Sequence, residues 1–211
     1  MSPNTRNQRR QPKSVPGQRK GVEEKPGPAP CVPGMVGDNA GGDSVVFEVG
    51  MEALSTSAMK VANELRRLGI AAQVTEMPAS TRTASDAAAA VGCEIGQIVK
   101  SLLFKSSASG EPLLVLVSGA DRVDEARLAE VAGEKVERAD AGFVRSRTGF
   151  AIGGVPPLGH IEAISTYLDE RLLAYEVVWA AAGTPNAVFP VNPKELIRAT
   201  SATVVSVSAD R

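Results

Sequence analysis

Residue patterning changes abruptly near position 50, and that break decides how much of the chain can fold. From Met1 to about Gly50 the sequence is dense in Pro, Gly, Asn and charged residues, including Pro26-Gly27-Pro28-Ala29-Pro30 and Gly41-Gly42-Asp43. Such a stretch buries too little apolar surface to offset the entropy of ordering it. A disordered Pro/Gly-rich basic tail over residues 1–50 is therefore expected, followed by one domain over residues 51–211. Apolar patterning is established only around Met51, so an alternative translation start there is an expectation that the intact mass of the native protein checks. About 160 residues remain, enough for a single core.

Charge is divided along the same line. Formal net charge is -1, but Arg6, Arg9, Arg10, Lys13, Arg19, Lys20 and Lys25 outweigh Glu23 and Glu24 in the first segment. The remainder of the chain is mildly acidic and lacks the broad basic footprint that phosphate neutralisation leaves on a strong nucleic-acid binder. No run approaches the roughly 18 apolar residues of a bilayer span, so no membrane association is expected. The first thirty residues contain no apolar core of the kind a secretory signal carries. Two cysteines, Cys31 and Cys93, make neither a disulfide framework nor a zinc-ligand spacing, which suits a reducing, cytoplasmic compartment.

Within the domain, Leu54, Ala58, Val61, Ala62, Leu65 and Leu68 recur at steps of three and four. This predicts an amphipathic helix ended by Gly69. Ile70 to Glu76 reads as a strand, and Thr83 or Ser85 can cap an alanine-rich helix that stops near Gly92. Ile98–Lys105 and Leu113–Ser118 are apolar runs joined by Ser107-Ala108-Ser109-Gly110, a hairpin pattern. Asp121 or Asp124 can cap a helix through Val131, and Asp140 another through about Arg147. Strands are expected at Ile161–Leu168, Val177–Ala182 and Thr203–Val207, with Asn192-Pro193 opening a helix to Arg198. Helices and strands mix without strict alternation, so the expected class is α+β with a mixed, mostly antiparallel sheet and surrounding helices.

Three features could carry chemistry. Lys100 shares a strand face with Ile98, Leu102 and Phe104. An ammonium among apolar neighbours needs an anion, a ligand or a route to water. It either snorkels from an edge strand or points its charge into a pocket. Second, the run Gly149-Phe150-Ala151-Ile152-Gly153-Gly154-Val155-Pro156-Pro157-Leu158-Gly159-His160 can bring backbone N–H groups close to a ligand on a stiffened loop, or can be a tight connection. It has neither the lysine and hydroxyl of a P-loop nor GxGxxG spacing. Third, His160 is the only histidine. That excludes a multi-histidine metal site and leaves a core or solvated residue, or a group that polarises water. Ser101 and Ser118 lack the G-x-S-x-G context of a nucleophile, and Cys93 at a helix end reads as structural.

The segments Gln97-Ile98-Val99-Lys100-Ser101-Leu102, Gly119-Ala120-Asp121-Arg122-Val123-Asp124 and Gly153-Gly154-Val155-Pro156-Pro157-Leu158-Gly159-His160 resemble, in residues, order and distance, the YbaK and prolyl-tRNA synthetase editing-domain family. Gly183-Thr184-Pro185-Asn186 and Pro193-Lys194-Glu195-Leu196-Ile197-Arg198 extend the resemblance, which covers about residues 52–207. It implies a trans-editing hydrolase that deacylates mischarged aminoacyl-tRNA bearing a small amino acid such as alanine, cysteine or serine. Water would attack the ester with help from a ribose hydroxyl of the substrate, and no cofactor or metal would take part. Lys100, Gly153, Gly154 and His160 would stand at the reacting end. Ser101, Ser118, Gly119, Pro157, Gly159 and Asp169 would bind the substrate. A synthetase could deliver the tRNA. A rival reading is a non-catalytic module of the same fold that captures aminoacyl-tRNA or a nucleotide-like ligand. A third makes the tail the RNA-binding element.

Overall fold

The computed structural model describes residues 54–77 and 83–209. The expected tail and the Met51 start lie outside the described residues. The first helix, α1 (Thr56–Arg67), begins where the Ser55 hydroxyl accepts the Ala58 N–H, and it buries Ala58, Val61, Ala62 and Leu65. After α1 come β1 (Thr75–Glu76), α2 (Ala84–Val91), β2 (Ile98–Ser106), β3 (Pro112–Ser118), α3 (Glu125–Ala132), β4 (Val136–Arg138) and α4 (Ala141–Thr148). The second half supplies β5 (Ser165–Asp169), β6 (Val178–Ala181), β7 (Ala187–Val191), α5 (Pro193–Thr200) and β8 (Thr203–Val205). Thr83, Asp124, Asp140 and Asn192 cap their helices as side-chain acceptors for orphan N–H groups.

The strands form one mixed sheet in the order β1-β7-β6-β2-β3-β5-β8, with β4 also paired to β2. Its β2–β3, β2–β4, β6–β7 and β1–β7 ladders are antiparallel, whereas β2–β6, β3–β5 and β5–β8 are parallel. The fold is thus the expected α+β class. Alternation in β3 sorts the core: Leu114 and Leu116 pack on the side of α1, α4 and α5, while Leu113, Val115 and Val117 pack with Leu128 of α3. On that second side, Ala87 and Ala88 of α2 pack on Ile98.

Four strands differ from the sequence reading, among them β4, which was not expected at all. The strand expected over residues 70–76 pairs only at Thr75–Glu76; Ile70 and Val74 are buried in the core without a ladder. The one expected from Ile161 begins at Ser165, and Ile161 is exposed. The sequence reading missed β7, which contains Pro190. Ala182 N–H donates to Ala187 C=O, which makes Trp179 and Pro190 a non-hydrogen-bonded pair. The proline nitrogen therefore faces the edge that β1 stops short of, since β1 pairs only with Ala187 and Val188.

Candidate functional site

One edge of β2 is paired along its length, since Val99 to Lys105 all have partners in β3. The other edge forks. β6 pairs only with Ile98 and Val99, and β4 only from Phe104 to Ser106. The Gly119 N–H donates to Ile98 C=O and the Ser106 N–H to Glu111 C=O, so the even-numbered residues of β2 bond to β3. The odd-numbered ones turn their backbone groups toward the fork. Leu103 C=O there accepts from Ala139 N–H at 3.2 Å. The backbone N–H and C=O of Ser101 lie in the gap with no ladder partner.

A cleft of about 410 Å³ occupies this fork, within the size range of small-molecule sites. Every residue from Ile98 to Phe104 lines it. Both faces of β2 contribute, so the cleft passes between the strands from one side of the sheet to the other. On the α2 side stand Lys100, Trp179 and the alanines of α2; on the opposite side stand Leu103, Val144 and Val155. Among the described residues the lining contains Lys100 and Arg138 but no carboxylate, imidazole or thiol. Arg138 is paired at the rim with Glu125 at 2.7 Å. Among the described residues no group of three or more His, Cys, Asp or Glu could hold a metal ion.

Of the two alternatives the sequence left open for Lys100, the edge strand fails, because β2 is paired on both sides. The Lys100 side chain lies in the cleft, and its ammonium donates to the backbone carbonyl of Asp121. Burial pushes its pKa below the ordinary lysine value; the Asp121 carboxylate opposes that shift and Arg122 adds to it. Asp121 is itself buried and ion-paired with Arg171 at 3.0 Å. Ser101 supplies a hydroxyl that is buried without a hydrogen-bond partner, on the strand segment lining the cleft. A buried polar group with no partner costs free energy, which singles this hydroxyl out beside the cleft.

The glycine-proline loop reaches the cleft through Ile152, Gly153 and Val155. Gly154 and Pro157 are buried behind it. The Gly154 N–H is spent on Ala151 C=O, and a Cβ there would lie 2.7 Å from the Thr184 backbone, so this glycine lets two loops touch. Gly159, at φ 79°, faces Glu64 of α1. His160 Nε2 lies 2.8 Å from Pro156 C=O, and its ring meets Phe150 edge-on at 6.3 Å. Burial lowers its pKa, which favours a neutral ring whose Nε2–H donates to that carbonyl.

Three more expected site residues stand apart from the lining. Ser118 donates to Gly96 C=O at 2.9 Å. A Cβ on Gly119 would lie 2.3 Å from Ile95 C=O. Both seat the short turn that leads into β2. Asp169 is 0 % exposed and accepts the N–H groups of Arg171, Val207 and Ser208. Thus Lys100, Ser101 and Gly153 are brought together in the cleft, while Gly154, Pro157, Gly159, His160, Ser118, Gly119 and Asp169 shape its supports. Sequence reasoning passed over Trp179 and Arg138. Trp179 sits in a short strand beside Ile98, and its place as the chain's single tryptophan was the available signal.

Sequence comparison places this fold among editing domains. The aminoacyl-tRNA editing domain profile matches residues 78–199, more than half of the chain, and the protein belongs to that family. The uncharacterised Bacillus subtilis protein YwhH is 32 % identical over 123 residues, covering 58 % of this chain and 78 % of YwhH. EbsC of Enterococcus faecalis, named as a candidate Cys-tRNA(Pro)/Cys-tRNA(Cys) deacylase, is 28 % identical over 56 % of this chain and 73 % of its own. A crystal structure described as a candidate trans-editing enzyme for prolyl-tRNA synthetase matches with TM-score 0.72 and 48 % identity, covering 75 % of this chain and all of the other.

Proposed function

We propose that the protein is a trans-editing aminoacyl-tRNA deacylase, acting on tRNA charged with a small amino acid such as alanine, cysteine or serine. The observation that carries this reading is the forked strand, which puts a half-buried lysine, an unpartnered hydroxyl and open backbone groups on one cleft. The 3′ end of the tRNA enters with its phosphate toward Lys100, and the aminoacyl group reaches the gap beside Ser101. A cleft of about 410 Å³ holding a nucleoside leaves room for a small side chain only, which supports the choice of amino acids. The similarity to EbsC, named for Cys-tRNA, supports cysteine among the three.

In the reaction, the oxygen of water bonds to the ester carbonyl carbon and the bond to the ribose oxygen breaks. That ribose oxygen takes a proton, which leaves free amino acid and tRNA. Lys100 compensates substrate negative charge, and the open N–H groups of the fork can donate to the carbonyl oxygen as charge develops on it. Among the described residues the lining offers no carboxylate or imidazole to act as general base, which supports a ribose hydroxyl of the substrate as the group that orients the water. Positioning then supplies much of the acceleration. A synthetase that delivers the mischarged tRNA fits the modest charge of the domain.

The test is deacylation of alanyl-, cysteinyl- and seryl-tRNA by wild type and Lys100→Ala, with and without EDTA. Turnover is expected to resist EDTA and to fall about 100-fold or more in the mutant, the scale of losing one well-placed electrostatic contact. Tight binding with no release of amino acid from any of the three would overturn the hydrolase and leave a capture module.

A further inference from the structure

The two ends of the cleft differ in chemistry, and the end beside α2 carries a feature that the hydrolytic reading does not use. Trp179 is the only tryptophan in the chain, and its half-buried indole lines the cleft. The other aromatic ring in the lining, Phe104, is 1 % exposed and packs with Leu128 in the core, so it offers no face to a ligand. Trp179 stands opposite Ile98 in the parallel β2–β6 pair and faces the same side of the sheet. Lys100 is two residues further along that face. One strand spacing across and two residues along place Trp179 and Lys100 about 8 Å apart at their Cα atoms.

The wall facing the indole is made of small residues. Ala84 and Ala87 of α2 line the cleft there, and α2 packs with Trp179 around Ile98. The indole and these alanines make the α2 end of the cleft apolar. The Thr83 hydroxyl on this wall already accepts the Asp86 N–H as the helix cap. A planar ring laid on the indole is held by its face. At the same end stands the Lys100 ammonium, whose charged form the nearby Asp121 carboxylate favours. An apolar, indole-lined end beside a lysine matches a nucleotide, which carries base and phosphate together.

We propose that Trp179 is the stacking platform for the terminal adenine of the substrate, with Lys100 beside it taking the phosphate. The inference rests on the editing reading and fixes the direction of the substrate. The nucleotide lies on the α2 side of the sheet, and the aminoacyl ester threads the fork toward Ser101, Leu103 and Val155. Because the platform reads a ring face, it holds guanine about as well as adenine.

The test uses the full chain and AMP. Its single tryptophan makes intrinsic fluorescence a direct reporter of the platform. Saturable quenching by AMP is expected, with GMP similar and ribose 5-phosphate silent. Trp179→Leu is expected to weaken AMP binding at least about fivefold by calorimetry, the low end for loss of one base-aromatic stack, and Trp179→Phe to retain most of it. In deacylation, Trp179→Leu raises KM and leaves kcat nearly unchanged. AMP binding that leaves the fluorescence unaltered, or a Trp179→Leu protein with unchanged AMP affinity and KM, overturns the platform while leaving the hydrolase intact. Quenching and affinity that follow Trp179 in a protein that cleaves no aminoacyl-tRNA sustain the platform and sink the hydrolase. Should Trp179→Leu fail to fold, the wild-type quenching and the Trp179→Phe affinity decide the matter.

Discussion

The two edges of β2 carry the same residues and do opposite things. Toward β3 the ladder is continuous from Val99 to Lys105, and the even-numbered backbone groups are consumed by it. Toward β6 and β4 the ladder opens between Val99 and Phe104, leaving Ser101 with a buried hydroxyl and backbone groups that no strand answers. Native structures satisfy nearly all buried polar groups, so an unsatisfied cluster marks a place where a ligand completes the structure. The paired edge holds the fold, and the open edge is kept available for chemistry. Substitutions on the two sides should separate stability from activity.

The largest effect on stability is expected away from the fork. Asp169 accepts three backbone N–H groups, two of them from Val207 and Ser208 at 2.9 and 2.8 Å. Arg171 binds Ala209 C=O and Asp121, and Asp121 C=O in turn receives Lys100. The carboxylate anchors the chain end that lies behind the lysine. In Asp169→Asn one acceptor becomes a donor facing a donor, which should cost about 2–3 kcal/mol because a buried N–H loses its partner. Urea unfolding measures it. A variant that keeps its stability but loses turnover would return Asp169 to the substrate and blur the separation.

Ser101→Ala should move the two properties in opposite directions. The hydroxyl is buried and bonded to nothing in the protein. Removing a buried unsatisfied polar group should stabilise the domain by about 1 kcal/mol, read as a raised urea midpoint at unchanged slope. Activity should fall by about three- to tenfold, the scale of one neutral hydrogen bond to substrate. Loss of stability with full activity would mean that the hydroxyl serves the fold, and the open edge would lose its functional meaning.

Much of this was legible in the sequence because it is written locally. The caps at Thr83, Asp124, Asp140 and Asn192, the hairpin of β2 and β3, and the face shared by Ile98, Lys100, Leu102 and Phe104 all arise from spacing and side-chain type. The fork is different in kind. It arises because β4, only three residues long, and β6 meet β2 at separate points, and neither carries a pattern that states its register. Asp169 entered the expected site through the family resemblance and His160 through its position after the glycine-proline loop, and the cleft lining includes neither. A polar side chain in an apolar surrounding looks alike in sequence whether it meets a ligand or a backbone amide. Pro190 hid β7, since an isolated proline in an apolar run argues against a strand until one knows which edge its nitrogen faces.

His160 gives the smallest effect and the finest division between support and site. Its Nε2 meets Pro156 C=O at 2.8 Å beneath the glycine-proline loop, and burial holds its pKa below 6.5. A base whose pKa is lower folded than unfolded binds protons preferentially in the unfolded chain, so stability rises with pH across that interval. The full contribution is present above pH 6.5 and is lost progressively as pH falls through the folded pKa. Unfolding midpoints at about pH 7.5 and about pH 5.5 should therefore differ more in wild type than in His160→Gln, whose amide can still donate to the carbonyl but does not titrate. Deacylation at the higher pH should change less than about threefold, since the imidazole stands outside the cleft lining. A collapse of kcat in a His160→Gln protein of normal stability would place the ring at the reacting ester and redraw the boundary between the loop that supports the cleft and the strand that forms it.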